Sequence, residues 1–261
     1  MVTVVDVTLI ALLAGAATGI GALPILVTGR VSHRLYDGAL GLAAGIMVGA
    51  AVFALVVPGL ELGTLPEVTG GLLVGGGFLL AANWAIPHAH MLFGGSNGDE
   101  FPESSPVEAV DDDLRQAVLI GSSITIHNVP EGLAIGIAFA SGFEEVGIAL
   151  AGAIAVQNVP DGFAMAVPAS QTGLSKAKTI LYTTLSGAVP EPIAAAAGFA
   201  LVAVVTGIFP VAAGFAAGAM MAVVFRELIP ESHSHGYADT ATITFILGFG
   251  IMVGVDVGLA V

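Results

Sequence analysis

AVLIGSSITIHNVPEGLAIGIAFA, residues 117–140, is an apolar run with two ionisable side chains, His127 and Glu131, near its middle. About 20 such residues in a helix cross the hydrocarbon of a bilayer. Ionisable groups at that depth are costly, and they mark sites or pathways more often than packing. The run reads as a membrane helix built around His127-Asn128-Val129-Pro130-Glu131-Gly132.

The rest of the chain has the same character. Of 261 residues, 56% are hydrophobic and 10% charged, and the mean hydropathy is +0.96. An ordinary soluble domain carries about 25% charged residues, so the surplus apolar surface calls for lipid. The 36 glycines fit, since Gly lets membrane helices approach closely. The alternation of a barrel strand is absent, which leaves helices as the spanning form. Eight spans are expected, over residues 4–28, 38–60, 68–92, 114–140, 144–168, 176–206, 208–230 and 240–260. They make one all-α transmembrane domain, residues 1–261. The first span carries Asp6, has no basic residue before it and runs on at full length, unlike a cleaved signal peptide. With no cysteine, disulfides, thiolate ligands and thiol nucleophiles are all excluded.

The six basic residues orient the spans. Arg30 and Arg34 follow the first span, Arg115 the third, and Lys176 and Lys178 the fifth, while Arg226 lies near the same side of the seventh. The opposite loops hold Glu61, Glu67, Glu144 and Glu145 but no Lys or Arg. Positive-inside then puts both termini outside and the loop at 93–113 in the cytoplasm. Asp99, Glu100, Glu103, Glu108, Asp111, Asp112 and Asp113 crowd that loop and account for much of the net charge of −14. It is expected to be solvated and disordered.

The motif of the fourth span has a partial copy in the fifth, Gln157-Asn158-Val159-Pro160-Asp161-Gly162. The copies are 30 residues apart with Ser141-Gly142 midway, so antiparallel helices bring them to one depth. Within each, the first and fifth residues are i and i+4 and share a face. Pro130 and Pro160 each remove a backbone donor and displace a carbonyl, at Ile126 and Val156. Freed backbone oxygen is tolerated in lipid only beside a polar cavity or another helix. Glu191, between Pro190 and Pro192 in span six, returns to about the same level.

His127, Asn128, Glu131, Gln157, Asn158, Asp161 and Glu191 thus converge, with no Lys or Arg near them in those spans to balance the acids. Carboxylates so close repel one another unless protonated or neutralised by a cation. Amides and imidazole alone could be interhelical glue, but glue does not need three acids. A bound metal is the economical counter-charge. Oxygen donors with one imidazole and no sulfur suit Zn, Fe, Mn, Co or Cd, and ligand type alone does not rank these.

His-Asn-x-Pro-Glu-Gly in span four, its copy in span five and Pro-Glu in span six resemble the ZIP (Zrt-, Irt-like protein) metal transporters, in particular their prokaryotic GufA-like branch. Gly45-Ile46-Met47 through Pro58, Pro87-His88 and Glu227-Leu228-Ile229-Pro230-Glu231 extend the likeness over most of the chain. The resemblance implies eight helices, a mid-membrane binuclear site between helices 4, 5 and 6, and alternating access carrying metal into the cytoplasm, one helix group sliding or rocking against another. By motif position one ion takes His127, Glu131, Gln157 and Asp161, with Met47 as a further ligand. The other takes Asn128, Glu131, Asn158, Asp161 and Glu191. Asp161 stands where Glu is usual and reaches about one methylene less far. The loop is acidic where many relatives have a His-rich one.

Further candidates lie towards the ends of the spans. His88 with His90, and His233 with His235, are placed to receive metal leaving the centre, or are ordinary interfacial histidines. Glu227 and Glu231 form an exit set as in the family, or Glu227 and Glu231 pair with Arg226. Asp256 is placed to attract incoming cations. Met47 suits packing as well as ligation. The expected partners are the metal ion as substrate and lipid in a cell membrane, with no nucleic acid and no cofactor. Family members often pair, and the Gly-rich helices permit a homodimer. The alternatives are a membrane-embedded metalloenzyme, for which no His-Glu-x-x-His pattern is present, and a metal-selective channel.

Overall fold

The computed structural model describes residues 2–27, 32–92, 128–142, 144–170, 174–205 and 207–259. Eight helices follow in order: α1 Val4–Leu26, α2 His33–Leu62, α3 Leu65–Leu92, α4 Asn128–Ala140, α5 Glu144–Ala169, α6 Lys176–Val204, α7 Phe209–Ser232 and α8 Ala238–Leu259. Over the described residues, all but α4 are long and apolar enough to cross a membrane. No strand occurs among the described residues. The first part of the fourth expected span, with His127, and the acidic loop at 93–113 lie outside the described residues.

Local chemistry sets the ends. Thr3 and Asp6 form a reciprocal cap on α1, and the side chains of Ser32 and Ser175 accept from the backbone N–H of Leu35 and Lys178 at the starts of α2 and α6. Gly142, at φ 89°, makes the turn between α4 and α5 where Ser141-Gly142 is read in the sequence. Lys176 Nζ donates to the Leu26 carbonyl at 3.1 Å, tying the start of α6 to the end of α1.

α1 tightens to a 3-10 turn over Leu23–Leu26, which holds Pro24, and three further helices are irregular beside a proline where the sequence reading has them continuous. α2 widens to a π-turn over Ala51–Val56 just before Pro58, and α7 over Val224–Leu228 just before Pro230. A proline lacks the N–H that would close the normal ladder, and a wider turn re-pairs what it frees. α6 breaks at Val189, and Pro190 starts its second half. Glu191 is thereby placed in the first turn of a new helix.

The helices form two sets. In one, α1 lies along α5 and both halves of α6, and α4 packs on the second half of α6, where Gly136 faces the Ala195 carbonyl. In the other, α2 pairs with α8 and α3 with α7. α2 also lies on α5 and so joins the two sets. Small buried side chains run along α2, among them Ala43, Ala44, Ala50 and Ala51. Outward-facing Leu73, Val74 and Phe78 on α3 and Ile243, Ile246 and Leu247 on α8 are exposed. Contiguous apolar faces of this kind belong in lipid.

Candidate metal site

The two motifs meet in the middle of the first set, as the spacing predicts. Gln157 Nε2 on α5 donates to Glu131 Oε1 on α4 at 2.7 Å. One residue on, Asn158 Nδ2 donates to Glu191 Oε1 on α6 at 2.8 Å and to the Ala14 carbonyl of α1 at 2.9 Å. Glu131, Gln157, Asn158 and Glu191 are all 1% exposed or less. Asn128, also buried, donates through Nδ2 to the Ser186 carbonyl at 2.9 Å. Asp161, one turn beyond Gln157 on the same helix, is half-buried.

The closing glycine of each motif lets a neighbouring backbone come this near. A Cβ at Gly132 would lie 2.3 Å from the Glu191 carbonyl, and one at Gly162 would lie 1.9 Å from that of Thr18. Only glycine permits these approaches. The contact at Gly132 sets the distance from α4 to the helix that carries Glu191.

Each carboxylate has one oxygen held by an amide and one left over. Glu131 Oε2, Glu191 Oε2, Gln157 Oε1 and Asn158 Oδ1 are buried with no hydrogen-bond partner among the described residues. Buried polar atoms are rarely left so, and acceptors left open in this way call for a proton or a cation among them. Among the described residues, no three His, Asp or Glu side chains surround one point by themselves. The close contacts pair a carboxylate with an amide instead, and His127, which the sequence puts next to Asn128, is outside the described residues. Asn158→Ala would strip the donor from both Glu191 and Ala14. At about 1–3 kcal/mol for buried groups so left, and about 2–4 °C per kcal/mol in a chain of this size, the melting temperature in detergent should fall by several degrees.

The outlying candidates separate. Met47 is 1% exposed within the apolar core of the bundle. His88 and His90 fall at the end of α3, where the backbone alone is described. Glu227 is half-buried in the π-turn of α7. Glu231 accepts a hydrogen bond from Tyr36 Oη at 3.4 Å. His233 Nδ1 sits 2.9 Å from the Ile229 carbonyl, turned back on its own helix. His235 instead reaches Asp37 of α2 at 2.8 Å, a pairing the sequence reading missed. The signal was there in His33 and Asp37, an i, i+4 pair at the start of α2. Asp256 lines a cavity of about 230 Å³ with Phe53, Val57, Glu61, Leu150 and Met252, so Glu61 joins it at that end.

The sequence profile of the ZIP zinc transporters matches residues 95–256. The zinc transporter GufA of Myxococcus xanthus is 35% identical over 95% of this chain and 96% of its own length. The zinc transporter ZIPB of Bordetella bronchiseptica is 37% identical, covering 94% and 78% respectively, and the human zinc transporter ZIP11 is 32% identical over 93% and 94%. The likeness spans the same α4–α6 motifs whose side chains meet in the structure, and the chain belongs to the ZIP family of zinc transporters.

Proposed function

We propose that the chain carries zinc and related divalent transition ions (Fe, Mn, Cd or Co) across a cell membrane into the cytoplasm, binding them between α4, α5 and α6. The observation that carries this reading is the set of buried, unpartnered oxygens of Glu131, Glu191, Gln157 and Asn158 in an apolar bundle. A divalent ion supplies the missing charge and accepts oxygen donors of this kind. We assign His127, Asn128, Glu131, Gln157, Asn158, Asp161 and Glu191 as ligands of two adjacent ions that share Glu131 and Asp161.

The two helix sets supply the moving parts. α1 packs on α5 and α6, and α4 on α6, while α2 pairs with α8 and α3 with α7, and α2 on α5 joins the two sets. Alternating access follows if one set rocks against the other and opens the site to each side in turn. The end bearing Arg34, Lys176, Lys178 and Arg226 faces the cytoplasm by the positive-inside rule. The acidic loop is then cytoplasmic and both termini are outside. Asp256 and Glu61 draw cations to the outer mouth, while His88, His90, Glu227, Glu231, His233 and His235 stand on the way out. Pairing of two chains into a homodimer is compatible with the glycine-rich helices. The metalloenzyme alternative loses its ground, because the relatives that match nearly the whole chain are transporters.

Reconstituted in proteoliposomes, the chain is expected to take up radioactive zinc with saturable kinetics. Unlabelled Cd, Co, Fe and Mn should compete to different degrees. Linear, non-saturating flux at pore-like rates would replace the carrier by a channel, and no flux would refute transport.

A further inference from the structure

Tyr36, in the first turn of α2, is half-buried against α5. Its ring lies beside that of Phe163 with centroids 6.5 Å apart, and its Oη donates to the Ala164 carbonyl at 3.2 Å. α2 and α5 belong to different helix sets, so this hydroxyl bonds one set to the other. The acceptor is one that α5 cannot pair for itself. Residue 168, four positions on, is proline and has no N–H to offer the Ala164 carbonyl. A helix carbonyl deprived of its own amide takes a donor from outside the helix. Here that donor is Tyr36.

The same hydroxyl has a second acceptor in reach, Glu231 Oε1 at the end of α7, at 3.4 Å. A phenol carries one proton, so it cannot serve both acceptors at full strength. The end of α7 packs on α2, within one set, whereas Ala164 lies in the other. Turned to Ala164, the proton ties the sets together. Turned to Glu231, it stays inside one set, and the phenol is not left unpaired when the sets part. A buried donor without a partner is costly, and the alternative acceptor removes that cost. The contact can therefore be released and remade. Ala164 is seven residues beyond Gln157, about 10 Å along the helix, towards the end that bears Arg34. At the other end of the seam, α2, α5 and α8 border the cavity of about 230 Å³ lined by Ala54, Leu150 and Met252. One end is closed by a bond, and the other holds open space.

We propose that the Tyr36 hydroxyl is a releasable catch between the helix sets, bonded to Ala164 while the Arg34 end of the seam is shut and passed to Glu231 when that end opens. The opening step rests on the transport reading above, while the shut contact does not. The chain has no cysteine, so a single introduced thiol reports access to its own position. Leu40→Cys puts one a helical turn deeper than Tyr36 on the same face of α2, at a site 5% exposed. Ala54→Cys puts one at the cavity of the other end. Each is made with and without Tyr36→Phe, which keeps the ring and deletes the hydroxyl. The rate of reaction with a charged methanethiosulfonate is then measured on the full chain in detergent. Without the hydroxyl, the Leu40→Cys thiol should react about 2–10-fold faster, the weight of one net hydrogen bond. The Ala54→Cys thiol should react more slowly, because opening one end closes the other. Pro168→Ala restores an N–H for Ala164 without touching Tyr36, and should move both rates in the same directions. An unchanged rate at Leu40→Cys, or a rise at both positions as in a merely loosened bundle, overturns the catch. Zinc uptake absent from the wild type, with the two rates still moving oppositely, would instead overturn transport and leave the catch standing.

Discussion

Proteoliposomes carrying Glu131→Ala are expected to take up zinc no faster than protein-free vesicles. Glu131 is 1% exposed, is held by Gln157 through one oxygen and has the other open. It stands between the two proposed ions, so its loss removes a ligand from each. Changing a group that merely supports a metal ligand costs about 10–100-fold, and a shared ligand should cost at least the upper end of that range. Glu131→Gln keeps the shape and loses the charge, and should fail equally. If instead the helices needed only a hydrogen bond at this place, Glu131→Gln would transport at the wild-type rate, which would end the metal assignment. His127→Ala is expected to behave as Glu131→Ala does. Gel filtration in detergent separates lost transport from lost fold.

Gly162→Ala should do the larger damage to the fold itself. The added methyl would sit 1.9 Å from the Thr18 carbonyl of α1, and Gly21 meets the Val159 carbonyl equally closely from the other side. Neither obstacle is a side-chain tip that can swing away. α1 would have to back off from α5, and overpacking of this kind costs about 1–3 kcal/mol or more. At about 2–4 °C per kcal/mol, the melting temperature should drop by several degrees to over ten. Gly152→Ala, in the same helix with nothing within 4 Å, is the control. It should be neutral or slightly stabilising, because alanine is the better helix former. Equal melting of the two variants would show that α1 and α5 are not locked as described.

The meeting of the two motifs was legible in the sequence because helix geometry is rigid. Thirty residues with a Ser-Gly turn midway leave the two motifs little choice but to meet, and the Glu131–Gln157 contact is that meeting. Membrane character followed from composition alone. What stayed hidden depends on backbone and on distant pairing. Nothing in the apolar α1 announces that its Ala14 and Thr18 carbonyls border the motifs, since a carbonyl leaves no mark in a sequence. The break at Val189 needed the observation that Pro190 opens a helix, where the hydropathy of 176–206 is unbroken. Asp37 was passed over because its partner, His235, lies 198 residues away.

The seam between the helix sets carries a last implication. Alanine has no side-chain torsion to reset, and its methyl raises no ridge for a neighbour to climb. Ala43, Ala44, Ala50 and Ala51 put four such buried methyls along α2, the helix that also lies on α5. A bearing surface of that sort lowers friction rather than adding grip, and enlarging any one of those buried methyls should slow turnover and weaken the folded bundle together.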